Sequence, residues 1–241
     1  MKLVLPDHSI KEVKDNISGL EACKTISISL AKAAICVKVD DKLQDLAEPI
    51  THDCNFEVIT KSSPEAMEVL RHSAAHLLAE AVKHLYPDAM FAYGPATEEG
   101  FFYDIKFSSP ISETEDLPKI EKEMLSIIKK NETISRRDIS YEEAKDIFKN
   151  QKYKSIHIDE LKDKNASISI YSQGDFTDLC LGPHLKSTGE IKAVKLLSTS
   201  ACYFQGNKDN DSLTRIYGTA FFSQKELDDY LHLLEERKES D

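Results

Sequence analysis

The alternation of apolar and polar residues along the chain changes period several times, and each change marks an element. In the first sixty residues, KLVL and SIKEV alternate with a period of two and flank Pro6-Asp7-His8, which predicts two short strands and a turn. GLEACKTISISLAKAA has helical periodicity, and CVKV, KLQDL and FEVIT return to strand patterning. This order, strand, strand, helix, then further strands, predicts a small β-grasp unit ending near Thr60 to Ser63. A second unit opens at KSSPEAMEVL, with Ser63 expected as N-cap and Pro64 at the first helical position. That helix places Val69, His72, His76, Ala79 and Lys83 on one stripe beside an apolar stripe of Leu70, Ala74, Leu77, Ala81 and Leu85, and Pro87 ends it.

AYGPATEEGFFYDIKF follows as a turn-rich loop running into an aromatic strand. LPKIEKEMLSIIKK predicts an amphipathic helix and ISRRDI a strand; SYEEAKDIF predicts a helix whose capping box is Ser140 and Glu143. SISIYSQGDFTDLC and IKAVKLLSTSACYF predict strands on either side of a glycine-bearing loop, and SQKELDDYLHLLEERKES a charged helix capped by Ser223 and Glu226. The expected class is α+β: a β-grasp domain over residues 1–61, a larger α+β domain over 62–223, and the start of a linker helix over 224–241.

Composition narrows the function. At 41% hydrophobic and 30% charged residues, with 10 Phe and 9 Tyr, the 241-residue chain has the balance of a globular protein. A formal net charge of −11 argues against general electrostatic grip on nucleic acid, although a local basic patch at Lys129-Lys130 or Arg136-Arg137 is compatible with it. Cys23, Cys36, Cys54, Cys180 and Cys202 are odd in number and widely spaced, which predicts a reducing, cytoplasmic setting rather than a disulfide framework. The N-terminus lacks the apolar run of a signal peptide, and no window is apolar enough for a membrane span. Neither GxGxxG, a Walker motif nor HExxH occurs.

The chemistry concentrates in two places. His72 and His76 lie four residues apart in RHSAAHLLAEAVKHLYP, so their imidazoles stack on one helix face. Cys180 and His184 repeat that spacing in DFTDLCLGPHLKSTG, where Gly182-Pro183 breaks any helix and leaves both on a turn. Three imidazoles and a thiol are a plausible tetrahedral zinc set, closed to a reactive water. Each half also has a plain structural reading, a half-buried histidine pair and a small buried cysteine.

RHSAAH, GPATEEGFFYD, TDLCLGPH and TRIYGTAF, in that order behind a β-grasp unit, resemble the N-terminal half of the threonyl-tRNA synthetases along essentially the whole chain. The resemblance implies a TGS domain followed by an editing domain, of the type shared with alanyl-tRNA synthetases, that hydrolyses serine mistakenly attached to threonine tRNA. Serine and threonine differ by one methyl, which a binding pocket separates by only about 1–3 kcal/mol, so a second, hydrolytic sieve is needed. It implies a site of His72, His76, Lys154, Cys180 and His184, with Asp178 holding the substrate α-ammonium and Tyr103 near the terminal adenosine. Phe102 stands where the family often has tyrosine.

It further implies that serine-charged threonine tRNA and the rest of the synthetase are the partners, with no membrane. ATP, magnesium and a core zinc belong only to an aminoacylation core that the chain stops short of. At the editing site no metal is favoured, His72 orienting or deprotonating water with help from Lys154. If zinc is present, its ligands are His72, His76, Cys180 and His184. Two other readings stay open: a non-catalytic, zinc-stapled tRNA-binding module, and a hydrolase of the alanine system. A β-grasp regulator of nucleotide switching is disfavoured because no phosphate-binding loop is present.

Overall fold

The structure, a computed structural model, describes residues 1–240. Two compact units form, one from residues 1–69 with 182–186 and one from 70–181 with 187–240; Asp241, the final residue of the expected linker helix, lies outside the described residues.

The first unit is a β-grasp. Strands β1 (Lys2–Val4) and β2 (Ile10–Glu12) form a hairpin, helices α1 (Gly19–Ile26) and α2 (Ile28–Ala33) follow, and β3 (Ala34–Val39), β4 (Lys42–Gln44) and β5 (Cys54–Thr60) complete a sheet of order β2-β1-β5-β3-β4. β1 and β5 are parallel and the other pairs antiparallel. The predicted single helix is two because Ser27 is extended, with φ −165°: its N–H donates to the Cys23 carbonyl at the end of α1, while its hydroxyl accepts from Leu30 N to open α2. Gly19 lets α1 approach the sheet, since a Cβ there would lie 3.0 Å from Val37 Cγ2. Leu3, Ala22, Val37, Ile50 and Phe56 fill the core between helix and sheet.

The second unit is built on α3 (Ala66–Leu85) from Leu70 onward, with β6 (Met90–Phe91), β7 (Phe101–Lys106), α4 (Glu113–Lys130), β8 (Ser135–Ile139), α5 (Tyr141–Ile147), α6 (Lys152–Asp163), β9 (Ile168–Gln173), β10 (Phe176–Leu179), β11 (Ala193–Tyr203), β12 (Ser212–Phe221) and α7 (Gln224–Ser240) in succession. The strands form two antiparallel sheets, β10-β9-β8 and β11-β12-β7-β6. Phe91 and Phe176 meet edge to face at 5.9 Å and link them. α3 touches both, His76 packing against Tyr171 and Phe176 and Arg71 stacking over Phe221 at 5.1 Å. No helix among the described residues is long and apolar enough to cross a membrane.

Several local expectations are corrected. α3 starts at Ala66, and Ser63 does not cap it: the Ser63 hydroxyl accepts from Thr60 N in the preceding turn. α3 is also not two-faced. Residues 73–82 are buried throughout, Glu80 included, whereas Leu85, placed on the apolar stripe, is 40% exposed. α4 begins a turn earlier than expected because Ser112 accepts from Glu115 N, and three acidic residues follow in the first turn, where the helix dipole favours them. Pro118 therefore sits inside the helix. Helix α6 and strand β12 were not predicted as elements; α6 escapes the apolar pattern because its buried face carries Lys154 between Tyr153 and Ile158.

Candidate active site

Seven sequence-predicted site residues can be followed to their places. His72 and His76 lie on successive turns of α3 with ring centroids 5.7 Å apart. His76 is 3% exposed. Burial, reinforced by the neighbouring His72 and Lys154 charges, holds its imidazole well below the ordinary histidine value, so it is neutral near pH 7. Cys180 follows β10 directly and is pinned through its backbone, its N–H donating to the Ser169 carbonyl at 3.2 Å and its own carbonyl accepting from the Ser169 hydroxyl. That anchoring aims Sγ at α3, 3.3 Å from His72 Nε2. The potential ligand atoms of His72, His76 and Cys180 lie within 4.8 Å of one another, so the three form a group able to hold a metal ion.

A second group stands beside the first. Asp178, on β10 and 1% exposed, receives Lys154 Nζ at 2.7 Å on Oδ1 and the Tyr103 hydroxyl at 2.5 Å on Oδ2. Leu179 N also donates to Oδ1 at 2.8 Å, and His76 Nε2 lies 3.5 Å from Oδ2. Lys154 Nζ donates in turn to the Tyr103 oxygen at 2.8 Å, which closes a triangle of ammonium, phenol and carboxylate. Burial and the Asp178 charge push the Tyr103 phenol well above its ordinary value, so it stays a proton donor. The triangle has three sources: Tyr103 from β7, Lys154 from α6 and Asp178 from β10. Lys154, which only the resemblance brings into the candidate site, is 5% exposed.

Both groups face one cavity of about 310 Å³ in the second unit, with His72, His76, Cys180, Tyr103, Lys154 and Asp178 in its wall. The cavity also exposes residues that sequence reasoning passed over. Tyr93 and Leu181 stand at its mouth, 63% and 74% exposed, and His157 lines it three residues after Lys154 on α6. Gly94 matters more, because a Cβ there would lie 2.2 Å from Tyr103 Cδ2: the bare backbone makes room for the ring that anchors the triangle. Its signal was the Gly-Pro of AYGPAT, legible as a turn but not as a seat for Tyr103.

His184 is carried by the 182–186 segment, which belongs to the first unit; it is 2% exposed, and its backbone N–H donates to Asp45 Oδ1 at 2.8 Å. The segment around it is neither helix nor strand, in line with the expected turn. The basic pairs do not line the cavity: Arg136 pairs with Asp138 at 2.9 Å and Arg137 with Glu143 at 2.7 Å.

The chain is similar to known proteins. Residues 1–60 match the TGS domain, and residues 168–217 match the threonyl and alanyl tRNA synthetase second additional domain. All 241 residues align with threonine–tRNA ligases, at 46% identity in Desulforapulum autotrophicum, 46% in Staphylococcus carnosus and 44% in Lactococcus lactis. The chain spans 37% of the length of each of these relatives.

Proposed function

We propose that this chain, which carries a TGS domain and a tRNA synthetase second additional domain and is homologous to threonine–tRNA ligases over its whole length, hydrolyses the ester that joins serine to threonine tRNA. The supporting observation is the pairing of the His72–His76–Cys180 group with the Lys154–Tyr103–Asp178 triangle around one cavity. The substrate is an aminoacyl ester of the terminal adenosine, activated by its neighbouring ribose hydroxyl. Such an ester needs only a positioned water and stabilisation of the developing oxyanion.

In this reading His72, the less buried imidazole, orients the water and accepts its proton, whereas His76 is neutral and packed among aromatic rings. Asp178 receives the serine α-ammonium by sharing or exchanging it with Lys154, its present partner. A Lys154 ammonium released from Asp178 then lies in the cavity wall, where it stabilises the oxyanion. The CxxxH motif of the sequence also carries His184, and in this reading the TGS domain covers 1–61, the editing domain 62–223 and the linker helix runs from 224.

Zinc fits the donor chemistry of His72, His76 and Cys180. An ion held there would serve as a staple, and no step above passes through it.

The test is release of serine from seryl-threonine-tRNA against threonine from threonyl-threonine-tRNA, with and without chelator. Selective serine release that survives chelation and falls at least a hundredfold in His72→Ala agrees with loss of a general base. Loss of both folding and activity on chelation or in Cys180→Ala would instead favour a zinc-stapled module.

A further inference from the structure

We propose that Glu80, His84 and Asp175 form a binding site for one divalent transition-metal ion, of which zinc is the type, separate from the His72–His76–Cys180 group. Glu80 and His84 lie four residues apart on α3, and Asp175 sits in the turn between β9 and β10. One donor atom from each residue falls within 4.8 Å of the others. His84 Nε2 is 2.8 Å from Asp175 Oδ1 and 3.7 Å from Glu80 Oε2. These distances bracket the roughly 3.4 Å that separates neighbouring ligands around an ion with ~2.1 Å bonds.

Glu80 carries the argument. Its side chain is 0% exposed, and Gln173 Nε2 donates to Oε1 at 2.8 Å, yet Oε2 has no hydrogen-bond partner among the described residues. A buried carboxylate oxygen without a donor is costly, and the neighbouring Glu132 leaves Oε1 in the same condition. Gly174 keeps the space beside both carboxylates open, because a Cβ there would lie 3.0 Å from Glu80 Oε2 and 2.2 Å from Glu132 Oε2. The His84 imidazole lies 3.7 Å from Oε2, and against the cost of burial its Asp175 and Glu123 hydrogen bonds raise its pKa; the rest of the gap calls for an ion or a proton shared by the two glutamates. Burial and the adjacent Glu132 push Glu80 up to about 8, so a cation competes there with a proton.

Two features favour the ion. His84 Nδ1 lies 3.1 Å from Glu123 Oε1, the carboxylate–histidine contact that fixes the tautomer and presents Nε2 as a ligand, and Gln173 likewise turns Glu80 so that Oε2 faces the gap. Asp175, with a side chain 70% exposed, opens a route for the ion from solvent. One imidazole with two carboxylates is a donor set for zinc or a neighbouring divalent transition metal rather than for magnesium.

The experiment uses the 241-residue chain carrying His72→Ala and Cys180→Ala, which disables the other group. Zinc is titrated by calorimetry, and cobalt binding is followed by absorption. The expected result is one zinc ion per chain, a cobalt spectrum without a thiolate charge-transfer band, and a Tm raised by zinc. Glu80→Gln and His84→Asn, each added to that background, weaken zinc at least tenfold and abolish the Tm rise, and Glu123→Gln weakens it by about 10–100-fold. Should Glu80→Gln fail to fold, His84→Asn at its partly exposed position gives the same reading. Absence of saturable zinc binding, or binding that both variants leave unchanged, would overturn the proposal and assign the gap to the shared proton.

Discussion

Replacing Lys154 with methionine tests whether the buried triangle is a coupled unit. The Lys154 side chain is 7% exposed and that of Asp178 2%, so the substitution strips a charged partner from a carboxylate that water does not reach. Breaking a buried pair in this way costs about 3–5 kcal/mol, because the remaining charge is left uncompensated. The structure argues for the lower end. Asp178 keeps the Tyr103 hydroxyl at 2.5 Å and Leu179 N at 2.8 Å, and hydrogen bonds to a charged group are worth about 1.5–3 kcal/mol each. The expected loss is about 3 kcal/mol in urea denaturation, with the m-value unchanged. Adding Asp178→Asn to Lys154→Met removes the stranded charge, so the double variant is expected to be more stable than Lys154→Met alone. A loss below about 1 kcal/mol for Lys154→Met, or a double variant no better than the single, would refute the claim that the pair is buried and coupled.

Gly94→Ala is expected to push the Tyr103 ring from its seat, costing about 1–3 kcal/mol of stability and lowering kcat for seryl-ester hydrolysis more than it changes KM; wild-type kcat would show that the triangle tolerates the shift. Glu80 has a folded pKa of about 8 against an ordinary 4.5, so the unfolded chain gives up that proton first and the group's contribution to stability falls as pH rises from 4.5 through 8. With chelator present, and with Glu132, His84, Glu123 and Asp175 facing the site unchanged, Glu80→Gln is expected to gain on wild type between pH 5.5 and pH 8.5 in urea melts; a constant difference would show that Glu80 ionises normally. Cys180→Ala is expected to keep wild-type far-UV circular dichroism without metal, since Cys180 is anchored through its backbone bonds to Ser169, and unfolding of this variant would identify a structural zinc ligand.

The β-grasp unit was legible because its strands obey the period of two and its turns carry their own chemistry: Asp7 accepts from Ser9 N at 3.0 Å in the hairpin read from Pro6-Asp7-His8. The capping signals at Ser140 and Ser223 held for the same local reason, each hydroxyl accepting from a backbone N–H three residues on. Where tertiary contacts override local preference, the pattern misled. α3 reads as amphipathic, but two sheets pack against it, so polar Ser73, His76 and Glu80 are buried with the leucines. Ser63 looks like a cap, yet its hydroxyl is taken by the end of β5.

The site divides along the same line, and the division bears on its chemistry. His72 and His76 announce themselves by spacing, because residues four apart on one helix must share a face, and Cys180 by the CxxxH that repeats this spacing on a turn. Lys154 and Tyr103 have no such spacing: 51 residues separate them, and only the meeting of α6 with β7 makes one the partner of the other. No local pattern singles out Lys154 or Tyr103; only the family resemblance brings them into the candidate site. In the fold they hold Asp178 between them, so the carboxylate assigned to the substrate ammonium already has an ammonium in place. In the proposed reading, substrate binding has to disturb an existing buried pair, and the energy of that exchange falls on the amino group that distinguishes an aminoacyl ester from any other ester. Ester substrates lacking the α-amino group should leave Lys154 on Asp178 and react slowly. Equal hydrolysis of a seryl ester and its desamino analogue would remove Asp178 from substrate recognition and leave the triangle a purely structural role.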